Sequence, residues 1–551
     1  MQDYCENTSI HGLKYIVNKS LYPIERLFFA ISFICVVLGT AYFVAKIYEK
    51  WNYTPMIVSI NPKTSYITDE PFPAVTICNL NQVSKKKVEK LSEFSFKYAI
   101  IQMMCKRKVN HAIADAISDW SNMKNLIYET SQSCERMLLE CKYGGRIFNC
   151  SEIFNSIITD NGLCCTFNIV DPKLLYRSTI SKSFLNSVYN HPMDYMPVYW
   201  SPDKGYSKDL PEKFIPMKSV GIGESLGLNV ILNVERDNYY CSSSDGVGFK
   251  ILLHNALEVP HMREIGMLLE PGYETKMSIR AERIESDEYV RDIRQSSRKC
   301  LFEDERHLRI YNAYTEHNCI TECSAGQIYR NCNCIPFFKP MLHDNDSICS
   351  FYDTSCVERI RLKTMIIEES SCALKCLGSC NDLKYSSSSF SAPLIIDDFK
   401  HKVQIEKNMS DEYWMKNVAI VNIYFKDTTY RSEKNMDFVG ATDFLSNIGG
   451  IIGLFFGFSF VSLAELIFYV ILRPLRMLFI SQWTRVVKSA KIQYQEPTIH
   501  DYGTLHKNIL RNQNILLKGT NWKLAAEKKY MLRNKTKNSN LQWQIGMDYI
   551  P

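Results

Sequence analysis

Residues 446–472, SNIGGIIGLFFGFSFVSLAELIFYVIL, combine an apolar run of membrane-spanning length with four glycines, three serines and one carboxylate. About 20 apolar residues rising 1.5 Å each cross a hydrocarbon core of roughly 30 Å. A carboxylate inside such a core costs roughly 2.5 kcal/mol or more on insertion scales, so Glu465 needs a reason to be there. Gly449, Gly453 and Gly457 recur every four residues and lead on to Val461 and Glu465, with Gly450 beside the first of them. Glycines at this spacing are explained by helix packing, because small residues let helices approach closely. Ser459 and Glu465 add a second reading. At Gly457, Phe458 and Ser459 the helix can loosen, freeing carbonyls and offering a hydroxyl in place of part of an ion's hydration shell. Unwound backbone is tolerated in a bilayer only when buried in protein or beside water, so an ion path here requires several chains around one axis.

These residues need elements to position them. A second uncharged apolar run, LFFAISFICVVLGTAYFV, extends from Leu27 to Val44. It is longer than the apolar region of a signal peptide and lacks a small-residue cleavage site, which predicts a retained anchor. Two crossings put both termini on one side. The stretch 473–551 holds 14 Lys or Arg against 4 acidic residues, a net of +10 in a chain that totals +6. Basic residues just beyond a span favour the cytosol, so both ends are expected there. The organisation expected is a cytosolic segment 1–26, a first span 27–47, an extracytoplasmic domain 48–445, a second span 446–472 and a basic cytosolic tail 473–551.

Cysteine placement supports the same map. Of 20 cysteines, 18 lie between Cys78 and Cys380, Cys5 precedes the first span and Cys35 sits within it. Disulfides persist in oxidising compartments and are rare in the cytosol. Ten of the cysteines crowd residues 300–380, where zinc is the competing explanation, but the even count and the compartment favour disulfides and no metal. Stapled in this way, the region makes either a stiff lever above the membrane or simply a stable module. Glycosylation acceptors stand at Asn52, Asn149, Asn345 and Asn408, although similar triplets at Asn7, Asn18 and Asn534 show how readily the motif arises by chance. FPAVTICNL, LNVILNV, FKILLH and VAIVNIYF alternate as strands, while HAIADAISDWSNMKNLIYET reads as helix, so a sheet scaffold with helical and looped excursions is expected. The run Ser386–Ser389 is too short for a linker.

One enzyme-like pattern occurs. Gly223, Ser225 and Gly227 match the G-x-S-x-G nucleophile elbow, but LNVILNV follows where that motif needs a helix, so no catalytic residue is assigned. No phosphate-binding loop, zinc-protease motif or kinase signature is present, and nothing points to nucleic acid. The basic tail can meet anionic lipid. A two-span glycosylated receptor of the scavenger type, binding lipid or another ligand, is the alternative to a channel, and featureless spans would suit it better.

In order, the chain carries His11-Gly12, FPAVTICNLN at 72–81, TDNGLCCTFN at 159–168, GFKILLH at 248–254, CNCIPFFKP at 332–340 and GGIIGLFFGFS at 449–459 with Glu465 beyond. Together these resemble the degenerin and epithelial sodium channel family, most closely its insect pickpocket group. The resemblance implies an α+β membrane protein in which two transmembrane helices flank a large disulfide-rich extracellular domain, with a β-sheet palm and helical thumb and finger insertions. It implies a plasma-membrane, sodium-permeable and amiloride-sensitive cation channel, not an enzyme, opened by a ligand or stimulus in sensory or epithelial cells. The chain would work as a homotrimer or as a heterotrimer with related subunits, with Na⁺ as permeant ion and no cofactor. It implies that Gly457, Phe458 and Ser459 form the selectivity filter, that Gly453 contributes to blocker binding and that Ser446, His11 and Gly12 act in gating. Glu465 would face the pore or bridge subunits. The family's disulfide ladder would pair Cys300 with Cys380, Cys319 with Cys376, Cys323 with Cys372, Cys332 with Cys356 and Cys334 with Cys349, preceded by Cys105 with Cys164 and Cys141 with Cys150. Adjacent Cys164 and Cys165 leave the first of those upstream pairs ambiguous, and Cys78, Cys134 and Cys241 have no assigned partner. The chain departs from the family pattern at Phe458, where relatives often carry Ala or Ser, and at Arg298, where acid-sensing relatives carry tryptophan.

Overall fold

A computed structural model describes residues 2–478 except 54–55, 106–119, 183, 186–194, 342, 344, 351, 367–370, 396–409 and 439. It is a disulfide-rich mixed α/β structure that divides into two compact units, residues 41–451 and residues 1–40 with 452–551. Most of the basic tail and the acceptor Asn408 lie outside the described residues.

The larger unit is built on two sheets. The first runs Met56–Tyr66, Thr429–Asp437, Tyr273–Ser286, Val418–Phe425, Leu228–Asn233, Leu138–Tyr143 and Arg146–Phe148, and Asp382–Pro393 also pairs with Tyr273–Ser286. The second contains five strands, Met267–Leu269, Phe249–His254, Ala74–Asn79, Gly162–Phe167 and Phe154–Thr159. Alternation decides which side chains meet between them. Ala419, Val421, Ile423 and Phe425 share a buried cluster with Val75, Ile77, Phe167, Phe249 and Ile251 of the second sheet. Phe72, 1% exposed, packs edge-on against Tyr143 and Phe425 at centroid distances of 5.2 and 5.6 Å.

Nine disulfides staple this unit. In the cysteine-dense region they join Cys300–Cys380, Cys319–Cys376, Cys323–Cys372, Cys332–Cys356 and Cys334–Cys349, and upstream Cys141–Cys150. The expected pair Cys105–Cys164 is corrected. Cys164 stands directly across the ladder from Cys78 and bonds to it, while Cys105 bonds to Cys241. Cys165 points to the opposite face of its strand, into the core between the sheets, and bonds to Cys134. Cys5 and Cys35 are free.

The helix Glu316–Cys332 is capped by Thr315, whose side chain accepts the Asn318 N–H. Arg298, 2% exposed, donates to the carbonyls of Cys300, Arg291 and Ile293, pairs with Glu305 and lies over the Phe302 ring. The elbow-like segment around Ser225 forms a single 3₁₀ turn, Glu224–Leu226, followed by the strand Leu228–Asn233, so no helix follows that serine.

Among the described residues, one helix is long and apolar enough by itself to cross a membrane, Pro23–Tyr53, with a mean hydropathy of 2.4 over its most apolar window. The apolar stretch 446–472 is not one continuous helix. Ala441–Phe456 ends at a break, Phe460–Ile467 follows, and the two are bent by 76°.

Replacing Phe72 with Ala removes the aromatic contact between the sheets. We expect a loss of about 3–5 kcal/mol, seen as a lowered Tm of the purified protein and reduced delivery to the cell surface.

Candidate functional site

The break in the apolar stretch is made by glycine and serine. Gly457 has φ +64°, in the left-handed region that disfavours a side chain, and its N–H still donates to the Gly453 carbonyl at 2.8 Å. Ser459 restarts the helix through a capping box: its side chain accepts the Ser462 N–H at 3.4 Å, and the Ser462 hydroxyl accepts the Ser459 N–H at 3.1 Å. The N–H groups of Gly457 and Ser459 are thereby partnered locally.

The N-terminal segment completes the arrangement. The His11 N–H donates to the Phe456 carbonyl at 2.9 Å, and the His11 ring lies so close to Gly457 that a Cβ there would come within 2.5 Å of it. Gly12, with φ +86°, turns the chain into the short helix Leu13–Val17. Ser9 reaches past the break: its hydroxyl lies 2.7 Å from that of Ser462, and its N–H and hydroxyl donate to Glu465 Oε2 at 3.0 and 3.1 Å. Glu465 is therefore held by Ser9 of its own chain. Phe33 packs edge-on against Phe456 at 5.8 Å, and the missing Cβ of Gly39 leaves space beside Phe455.

The structure thus brings His11, Gly12, Gly453, Gly457, Phe458, Ser459 and Glu465 into one region. Gly453 has open space, its nearest neighbour being the Phe458 carbonyl at 3.7 Å from where a Cβ would stand. Ser446, Gly449 and Gly450 lie on the preceding helix, Ser446 exposed and the two glycines with nothing within 4 Å of an added Cβ. Of the glycosylation candidates, Asn52 and Asn345 are exposed, and Asn149 is exposed while its side chain caps the turn Cys150–Ile153. Sequence reasoning missed Ser9 and Ser462. The spacing of Ser459 and Ser462 carried a capping signal, but the partner Ser9 is too distant in sequence to be inferred.

Sequence patterns also missed a cluster of titratable groups in the larger unit. His254, Glu258, His261, His317 and Asp382 line a cavity of about 350 Å³. The rings of His261 and His317 lie 4.5 Å apart, and His261 Nε2 is 3.1 Å from the Thr321 hydroxyl and 3.3 Å from Lys339 Nζ. Burial pushes His254 and His317 from 6.5 down to about 4 and Lys339 from 10.5 down to about 8. Burial, with the nearby Asp382 carboxylate, raises Glu258 from 4.5 to about 8. The cavity therefore holds neutral imidazoles and a protonated carboxyl near neutral pH.

Against this geometry, the sequence profile described as the amiloride-sensitive sodium channel matches residues 4–469. The chain belongs to that family. It is 34% identical over 480 residues to Pickpocket protein 28 of Drosophila melanogaster, covering 86% of this chain and 78% of that protein. It is 24% identical to Sodium channel protein Nach of the same species, over 86% of this chain and 87% of that protein. It is likewise 24% identical to the human bile acid-sensitive ion channel, over 85% of each.

The pH dependence of stability follows from the cavity. His254 takes up no proton in the fold until about pH 4, whereas the unfolded chain does so below 6.5, so stability is lost as pH falls through that window. The loss is roughly 3 kcal/mol at most, at 1.36 kcal/mol per pKa unit. Glu258 has the opposite sign: its contribution is complete below 4.5 and is lost as pH rises toward 8. Thermal melts of the full-length protein should show Glu258→Gln raising Tm at pH 8 but not at pH 4.5, and His254→Gln flattening the decline on the acid side.

Proposed function

We propose that the protein is a subunit of a sodium-permeable, amiloride-sensitive channel of the plasma membrane, assembled as a homotrimer or with two related subunits. The observation that carries this reading is the partnered break at Gly457–Ser459 inside an apolar segment. An anchor gains nothing from an interrupted helix, while a conduction path gains backbone and hydroxyl oxygens at membrane depth. Gly457, Phe458 and Ser459 act as the filter, Gly453 takes part in amiloride block, and the bent pair of helices serves as the second span. Both termini are cytosolic, so the His11-Gly12 segment reaches the break from the cytosolic side and braces it. The disulfide-rich region carries the stimulus toward the spans as a thumb against the sheet palm. No cofactor is needed, since Na⁺ crosses down its own gradient.

The chain is not read as an enzyme, and the scavenger-type receptor is disfavoured by the same break. Cysteine substitution along residues 446–465 separates the two readings. A stripe reactive toward a water-soluble reagent is expected for a channel, and uniform protection would favour an anchor.

Two substitutions test the assignment in cells, alone and with related subunits. Ser446→Phe, at the exposed position on the helix before the break, should raise constitutive inward Na⁺ current that amiloride blocks. Silence at normal surface density in every combination would refute the channel reading. Gly457→Ala should abolish that current without loss of surface protein, because the left-handed backbone disfavours a side chain by about 1–2 kcal/mol and the new methyl would displace the His11 ring.

A further inference from the structure

We propose that a surface cavity beside the helix Glu316–Cys332 binds a small amphipathic organic anion, a carboxylate or sulfonate carried on an apolar body. The cavity measures about 550 Å³, within the range of roughly 300–1,000 Å³ common to small-molecule sites. Its charge has one sign to spare. Arg306, Arg309, Arg330 and Lys375 line it, and none of them pairs with a carboxylate among the described residues.

Two acids that share the lining are turned to other work. Glu322 accepts the backbone N–H groups of Arg309 and Ile310 at 3.0 and 2.9 Å, and Asp346 accepts that of His343 at 2.8 Å. Arg306 donates to the Lys375 carbonyl, which fixes one cation against the segment that carries another. An anion entering here meets guanidinium and ammonium groups without displacing an existing ion pair, and so avoids the cost of stranding one.

Apolar side chains share the lining with the cations. Leu308, Ile310, Ala325 and Ile335 are buried in its wall, and Tyr329, 44% exposed, presents its ring at the rim. A simple anion would leave that surface wet, and an uncharged apolar molecule would leave the cations unused. The walls are also preformed, because Cys319–Cys376 and Cys323–Cys372 tie the helix to the segment bearing Lys375. Preorganisation of this kind lowers the ordering cost of binding. The concave apolar wall and the volume favour one compact body over an extended acidic peptide, which would need a longer charged track.

The test uses full-length protein in lipid nanodiscs and titrates naphthalene-2-sulfonate, followed by calorimetry. Binding in the millimolar range or tighter is expected. Naphthalene-2-methanol, which lacks the charge, and methanesulfonate, which lacks the apolar body, should each bind at least about tenfold more weakly. The exposed pair Arg309→Glu/Lys375→Glu should weaken the sulfonate by a similar factor while leaving the Tm of the unliganded protein unchanged. Should that double variant fail to fold, Arg330→Gln with normal Tm takes its place. Absence of binding, or equal binding to wild type and the charge variant, would overturn the proposal, as would tighter binding of a hexaglutamate peptide than of naphthalene-2-sulfonate.

Discussion

A helix that breaks leaves peptide groups without their intrahelical partners, and in an apolar segment few side chains can replace them. That constraint organises the smaller unit. Gly457 provides the left-handed turn, Ser459 and Ser462 partner each other's backbone N–H groups, and the His11 N–H takes the Phe456 carbonyl. Glu465 obeys the same logic. Its carboxylate, costly in an apolar segment, accepts two bonds from Ser9. The short stretch from Ser9 to Gly12 is therefore part of the break's architecture, and a change there acts on the break itself.

The larger unit meets a different demand, which is rigidity over a long chain with many excursions. Two sheets share one apolar core, and cysteines anchor the strand Gly162–Phe167 from both faces: Cys164 to Cys78 of the adjacent strand on one side, and Cys165 to Cys134 of a short helix on the other. Since consecutive residues on a strand point oppositely, two neighbouring cysteines can serve two unrelated partners without competing. Phe72 adds aromatic contacts to Phe425 of the first sheet and Phe167 of the second.

Much of this was legible in the sequence where the signal was local. Short apolar runs rich in β-branched residues in VAIVNIYF and LNVILNV mark the strands Val418–Phe425 and Leu228–Asn233, and the glycine-serine pattern at 457–459 marks the place where the helix gives way. Signals that depend on distant partners were not legible. The serine run Ser386–Ser389 carries no apolar pattern, yet it lies in a strand opposite Met277–Arg280, because backbone pairing with Tyr273–Ser286 holds it there. The parallel pairing of Tyr273–Ser286 with Val418–Phe425 is likewise fixed by the assembled sheet and by no local motif. The pair Cys105–Cys164 failed for the same reason, since only the register reveals that Cys78 faces Cys164.

Arg298 shows how a departure from a family pattern can be physically complete. The resemblance set out above implies tryptophan at this place in acid-sensing relatives, where bulk and a ring would do the packing. Here the position is filled by a cation, 2% exposed, which would be prohibitively costly if unpaired. It is not unpaired. Glu305 supplies the countercharge, the carbonyls of Arg291, Ile293 and Cys300 supply acceptors in three directions, and the Phe302 ring covers one face. The planar guanidinium, with five donors in a fixed fork, is the side chain suited to gather so many acceptors at once. It thereby fixes the turn that leads out of the strand Tyr273–Ser286 directly beside the Cys300–Cys380 bridge. Lysine would keep the charge but lose the fork, and an aromatic ring would strand both Glu305 and the carbonyls. Rigidity at this corner therefore rests on hydrogen bonds of fixed direction, where a tryptophan would rely on packing alone.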